Sequence, residues 1–237
     1  MKKPGLDLLI PCYNPPKNWD KMIRSSVAAL QVSLPDTKLN LILVNDGSTK
    51  ALNPTALENL KKNIHSFLFI DYPKNQGKGH ALRQAAERAN SDLQILIDVD
   101  FPYTNESILK VYYSLVVEKS DLVLGYRNAA YYQHTPPIRK VISKTLRFLL
   151  KHIIRLPVAD TQCGLKGFNE KGKKLFLQTK INSYLFDLEF VMLSSKNKLN
   201  TSAVHVNLKE GVVFTRMKLS VLIKEASHFF RLLFFRN

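Results

Sequence analysis

Five short apolar runs punctuate the first half of this chain, and each ends abruptly in residues that turn or carry charge. They are LDLLIP (6–11), LNLILV (39–44), FLFID (67–71), LQILIDV (93–99) and DLVLG (121–125). Runs of this length, apolar at nearly every position, suit strands buried on both faces. Apolar residues at helical spacing lie between them. Ile23, Val27, Leu30 and Leu34 precede Pro35, and further helices are expected around 55–62, 80–89 and 107–119. Strand–helix alternation at this spacing predicts an α/β domain with a mostly parallel, mixed central sheet flanked by helices. After 125 the pattern gives way to a basic helix and an α+β remainder. With 237 residues and no internal repeat or low-complexity linker, one domain is expected to about residue 215, followed by an amphipathic helix over 216–237.

Composition excludes several classes. Apolar residues make up 45% and charged ones 23%, which is globular rather than disordered or collagen-like usage. Two cysteines, Cys12 and Cys163, support no disulfide framework and suit a reducing compartment. The start, MKKPGLDLLIPCYN, meets Asp7 and Pro11 too soon for a signal peptide, and no uncharged run of 18 apolar residues predicts a membrane span. A cytoplasmic protein is the expectation.

Charge is the strongest compositional signal. Lys and Arg number 35 against 19 Asp and Glu, a formal charge of +16. Such a surface attracts nucleic acid, anionic membrane or phosphorylated substrates without choosing among them. No acidic residue occurs over 122–159, a stretch that holds Arg127, Arg139, Lys140, Lys144, Arg147, Lys151 and Arg155. From Lys140 the basic positions recur at helical spacing, with Ile142, Leu146, Leu149, Leu150, Ile153 and Ile154 on other faces. This is either a basic amphipathic helix at a membrane surface or an ordinary helix with a solvated side. The end of the chain, with Phe229, Phe230, Phe234 and Phe235, calls for a greasy contact: membrane, an integral-membrane partner or a second copy. No nucleic-acid motif or aromatic platform accompanies the charge, so nucleic acid is not an expected partner.

In open α/β sheets ligands bind at the carboxyl ends of the strands. Those ends read PCYN (11–14), NDGS (45–48), DYPKNQGKG (71–79), DVDFP (98–102) and GYR (125–127). If the chain is still extended at Asp98-Val99-Asp100, the two carboxylates share a side, and their repulsion invites a cation such as Mg²⁺ or Mn²⁺. The alternative is an accidental pair at a polar strand end. Asp46 is either a local turn residue or an acceptor for a base or ribose donor. Gly77-Lys78-Gly79 before a helix looks like an anion-binding loop. It lacks Walker spacing, and no GxGxxG follows the first strand, so ATPase and dinucleotide-oxidoreductase readings fail. Cys12 and His80 are expected to pack.

Taken in order, IPCYN (10–14), LVNDGS (43–48), NQGKGHALRQA (75–85), LIDVD (96–100), LGYR (124–127), ADTQCGLKGF (159–168) and FDLEF (186–190) resemble the motifs of family 2 glycosyltransferases with the GT-A fold. The DTQCG-x-K-x-F stretch is most similar to the dolichyl-phosphate glucosyltransferase branch among the polyprenyl-phosphate sugar transferases. The resemblance spans about residues 5–215.

It implies an inverting enzyme that moves a hexose from a nucleotide-sugar donor such as UDP-glucose to a polyprenyl- or dolichyl-type lipid phosphate. The enzyme would sit peripherally at the cytosolic face of an anionic membrane. By the resemblance Pro11, Tyr13, Asn14, Asp46 and Lys78 serve the nucleotide, and Asp98 and Asp100 hold Mg²⁺ or Mn²⁺ on the diphosphate. Arg127 faces phosphate, Arg139 and Ser143 receive the acceptor phosphate, and Asp160, Gln162 and Lys166 border the sugar and acceptor. Pro102 stands where mannosyl-type relatives often carry Gln, and Asn45 where many carry Asp. A lipid phosphate is already anionic and needs no general base, whereas a glycan hydroxyl would need one. Asp187 or Glu189 would then be the candidates, unless they are simply a charged pair closing a helix. A transferase acting on a glycan hydroxyl in surface-polysaccharide assembly, or a non-catalytic nucleotide- or polyanion-binding module, are the competing expectations.

Overall fold

The computed structural model describes residues 3–127 and 163–211. Seven strands form one sheet: β1 (Leu6–Cys12), β2 (Leu39–Asp46), β3 (Ser66–Tyr72), β4 (Leu93–Leu96), β5 (Leu122–Tyr126), β6 (Lys166–Asn169) and β7 (Thr201–His205). Their order is β3-β2-β1-β4-β6-β5-β7. All neighbours pair in parallel except β6, which runs antiparallel to both β4 and β5. The expected mixed α/β sheet is present.

Alternation along the strands explains why these runs are apolar throughout. Leu6, Leu8 and Ile10 of β1 enter one core with Leu41, Leu43, Ile95 and Val123, whereas Leu9 enters the other with Ile42, Val44, Leu96 and Leu122. Helices α1 (Trp19–Ser33), α2 (Pro54–Asn63) and α4 (Asn105–Val116) cover the first face through Ile23, Leu30, Leu60, Ile108 and Val111. Helices α3 (Lys78–Arg88), α5 (Glu170–Phe176) and α6 (Phe186–Lys196) cover the second, where Phe168, Phe176, Phe186 and Phe190 pack ring to ring at 5.1–6.0 Å. Each such side chain contributes on the order of 2 kcal/mol of hydrophobic stabilisation.

Buried carboxylates pin the amino-terminal edge of the sheet. Asp7, 1% exposed, accepts from the backbone N–H groups of Asn90 and Ser91 at 2.7 and 2.8 Å, and from Asn40 and the Ser91 hydroxyl at 2.6 Å. Asp121 accepts from Asn169 at 2.8 Å and from the Asn200 N–H at 3.1 Å. The active-site candidates lie at the opposite, carboxyl edge.

Two expectations about local structure need correction. β4 ends at Leu96, and Asp98–Phe101 is a turn closed by the Phe101 N–H on the Asp98 carbonyl at 2.9 Å. Phe101 adopts a left-handed backbone, φ 44°, with its ring fully buried. Asp98 and Asp100 therefore meet across a turn and not along an extended strand. FDLEF opens α6 and does not close a helix. The basic helix (Lys140–Arg155), Arg139, Ser143, Asp160, Gln162 and the 216–237 helix lie outside the described residues. Among the described residues, no helix is long and apolar enough to cross a membrane.

Candidate active site

Asp46 ends β2 and is 2% exposed. Its Oδ1 accepts from the Tyr72 hydroxyl and the Gln76 N–H, both at 2.8 Å. Its Oδ2 accepts from the Asn75 side chain at 2.8 Å and the Gly77 N–H at 2.9 Å. Gly77, the residue before α3, has no side chain to cap the helix, and the carboxylate from β2 fixes that position by accepting the Gly77 N–H. Gly47 makes this possible. It sits at φ +61°, and a Cβ there would lie 2.4 Å from the Asn75 backbone nitrogen. Asp46 is thus neither a simple turn residue nor a freely exposed acceptor. It shapes the donor end of the sheet by holding residues 75–77.

The same bonds correct the reading of Gly77-Lys78-Gly79 as an open anion loop. The Gly77 N–H points to Asp46, and the Gly79 N–H donates to the Asn182 carbonyl at 2.7 Å. What this segment offers the site is the Lys78 side chain. Lys78 Nζ lies 2.5 Å from Asp98 Oδ1. Burial pulls its pKa down, but Asp98 and then Asp187 outweigh that, so the ammonium is held charged above the ordinary lysine value.

Asp98 and Asp100 form the acidic centre. The Asp98 side chain is 35% exposed. Burial first, and then the neighbouring Asp98 charge, raise the Asp100 carboxyl above the ordinary range. Gly164 lets the chain pass close by, since a Cβ there would stand 2.7 Å from Asp98 Oδ2. Tyr103, 3% exposed, accepts the Gly164 N–H at 3.0 Å and fixes that approach. Two partly open carboxylates fit a hard dication that is otherwise completed by diphosphate and water. Among the described residues no group of three or more His, Cys, Asp or Glu could hold a metal ion on its own.

Other members of the site follow from the topology. Pro11 lies near the end of β1 and Tyr13 and Asn14 follow it, with Tyr13 exposed and Asn14 at φ 46°. The Asn14 side chain accepts from the Thr49 N–H and hydroxyl, both at 3.0 Å, tying the first loop to the second. An open cleft of about 570 Å³ is lined by Asn14 together with Trp19, Lys50 and Leu52 among others. Arg127 follows β5, half-buried, and its charge reaches the Tyr103 phenol. Cys12 and His80 pack as expected. Burial pushes the Cys12 thiol up to about 12, and His80 meets Tyr72 edge-on at 5.6 Å.

Three assignments near the sugar and acceptor change. Lys166 is 1% exposed, and its Nζ donates to the Cys163 carbonyl at 2.5 Å and pairs with Asp187 Oδ1 at 2.8 Å. It is a buried strut and does not present its charge to an acceptor phosphate. Asp187 is 7% exposed. Burial lifts its carboxyl above the ordinary range despite Lys166 and Lys78, and Lys166 is its ion-pair partner. Glu189 accepts from the Lys180 and Ile181 N–H groups at 2.8–2.9 Å, clamping the loop that packs on α3.

Lys209 was not legible as a site residue. Backbone pairing of 102–104 with 207–209 carries it beneath Asp100, where its Nζ donates to Ser26 Oγ at 2.8 Å and lies 5.8 Å from the Phe101 ring. Burial lowers its pKa, and Asp100 opposes that. No local pattern marks it; its place depends on the pairing of two distant loops.

Comparison with known proteins bears on the family and the fold. The model of glycosyl transferase family 2 matches residues 7–176. A dolichyl-phosphate beta-glucosyltransferase of Trichomonas vaginalis is 27% identical over 97% of this chain and 73% of its own length. The dolichyl-phosphate beta-glucosyltransferase of Saccharomyces cerevisiae is 25% identical over 91% of this chain and 70% of its own. Among solved structures, glucosyl-3-phosphoglycerate synthase from Mycobacterium tuberculosis, in complex with Mn²⁺, UDP and phosphoglyceric acid, superposes with a TM-score of 0.62. It is 15% identical and covers 92% of this chain and 73% of that one. The shared fold is GT-A.

Proposed function

The chain belongs to glycosyl transferase family 2 and is a glycosyltransferase, and from that premise we propose that it moves a hexose, with inversion, from a nucleotide sugar such as UDP-glucose to a polyprenyl- or dolichyl-type lipid phosphate. The names of its relatives, dolichyl-phosphate glucosyltransferases over most of the chain, support the acceptor class. The observation that carries it is the engagement of both FDLEF acids. Asp187 is enclosed with Lys166, and Glu189 is spent on the 180–181 backbone. A sugar-hydroxyl acceptor would need a base there, whereas a phosphate monoester arrives ionised. This favours lipid phosphate over a glycan hydroxyl.

In this reading Tyr13 and Asn14 line the nucleoside pocket beside the loop that Asp46 holds. Asp98 and Asp100 would carry Mg²⁺ or Mn²⁺, which supplies neutralisation of the charge growing on the leaving diphosphate. Arg127 adds positive charge at the end of β5. The basic 139–155 segment, with Arg139 and Ser143, receives the lipid phosphate, and the protein works at an anionic membrane face.

The test is a panel of UDP- and GDP-sugars against polyprenyl phosphates and soluble glycans, with transfer of label into organic-extractable lipid as the readout. Labelled lipid with a UDP-sugar is expected. Label confined to soluble glycan would replace the acceptor assignment with the hydroxyl alternative.

A further inference from the structure

The ion pair at the acidic centre has a consequence for how the site is loaded. Of the three lysines close to it, Lys166 is taken up by Asp187 and the Cys163 carbonyl, and Lys209 is tied to Ser26. Among the described lysines, only Lys78 reaches a carboxylate of the Asp98/Asp100 pair directly, at 2.5 Å. It does so from the first residue of α3, a helix whose start is fixed by the four hydrogen bonds on Asp46 and by the Gly79–Asn182 bond. Asp187 adds a second negative charge behind the ammonium without pairing with it, its own partner being Lys166. The fixed start of α3 therefore places the ammonium at Asp98.

We propose that Lys78 is a resident counter-cation that occupies Asp98 until the donor arrives, so that a divalent ion enters the site with the nucleotide diphosphate and Lys78 moves from Asp98 onto that diphosphate. This rests on the reading that Asp98 and Asp100 hold a cation. A dication approaching the empty site meets a fixed positive charge a few ångströms away and a carboxylate that is already neutralised. A diphosphate reverses both conditions, because it brings negative charge for the ammonium and oxygens for the ion. The device keeps the site from being filled by free metal alone and couples metal entry to donor binding.

The experiment measures Mn²⁺ binding by electron paramagnetic resonance on the intact chain, without and with UDP, for wild type, Lys78→Gln and Lys78→Met. Thermal melts confirm folding, and the second substitution serves if the first does not fold. Without UDP, removing the lysine charge should tighten Mn²⁺ binding by about ten-fold or more, the scale of one unit charge at this range in a half-buried site. Lys78→Arg should bind as wild type, and adding Asp98→Asn to Lys78→Gln should abolish the gain. The same uncharged variants should bind UDP more weakly. Equal or weaker Mn²⁺ binding by the uncharged variants would overturn the counter-cation role while leaving the metal reading intact. Failure of wild type to take up Mn²⁺ in the presence of UDP, beyond the nucleotide's own binding of the ion, would overturn the metal reading itself.

Discussion

Asp46 and Asp98 are both aspartates at the carboxyl edge of one sheet, two strands apart, and the fold treats them in opposite ways. Asp46 is 2% exposed with four donors on its two oxygens. Asp98 is one-third exposed, meets one lysine, and stands beside a second carboxylate that it repels. A carboxylate saturated by the protein is structural, because its stabilisation has already been collected from rigid donors. One left short of partners keeps attraction in reserve for a ligand. Acidity at a strand end does not distinguish the two; donor count does.

The largest effect that would sharpen this contrast is catalytic. Asp98→Asn and Asp100→Asn should each lower kcat/KM by roughly 10²–10³-fold while the fold survives, since several kcal/mol of charge stabilisation is removed from the diphosphate. EDTA should abolish turnover in wild type and Mn²⁺ or Mg²⁺ should restore it. Full turnover in EDTA would erase the distinction. Asp46→Ala comes next and is read in stability. Stranding its donors should cost about 3 kcal/mol, a drop in Tm of roughly 5–10 °C, with weaker nucleotide binding as α3 loses its anchor. An unchanged Tm would place Asp46 with the ligand-binding acids.

A smaller effect has the opposite sign. In EDTA, Asp100→Asn should raise Tm by about 2–4 °C, because it removes a desolvated charge facing another of the same sign. The smallest concerns the other edge of the sheet. Burial opposes ionisation of Asp121, but hydrogen bonds from Asn169 and Asn200 and the nearby Lys171 together bring its carboxyl below the ordinary range. Its contribution is therefore full above the unfolded value near pH 4 and is lost as pH falls through the lowered folded value. Asp121→Asn should lower Tm by about a degree or two at pH 7, and the gap to wild type should close on acidification. A gap independent of pH would mean that the carboxylate charge is not what matters there.

Much of the frame is legible from residue pattern alone. β1, β2, β3 and β5 fall where apolar runs meet turn residues; β1, β2 and β5 are apolar because both their faces are buried, whereas β3 is a half-exposed edge strand with Leu68 41% exposed. What eludes the pattern is set by contacts between distant segments. The strand expected to 99 stops at Leu96, because the Phe101 ring is drawn into the core and bends the chain at Asp98. The resemblance sets Lys166 at the sugar and acceptor, yet antiparallel β6 turns it inward against Asp187. Lys209 takes its place from the pairing of two loops far apart in sequence, and Glu189 takes its role from the backbone of the loop just before its own helix. Chemistry-bearing residue types mark where the site is, but partner geometry decides which of them remain available to substrate.

The reversed strand β6 also governs how this scaffold can diversify. Because β6 runs against its neighbours, Arg127 at the end of β5 and Cys163 just before β6 lie at the same rim of the sheet. The chain joining them both starts and finishes beside the acidic centre. The register of β5 on β6 is set by the pairing of Leu122–Leu124 with Lys166–Phe168. On the proposed assignment of the acceptor to the joining segment, new acceptors could be sampled by rewriting one cassette while β1, β2 and α3 stay fixed.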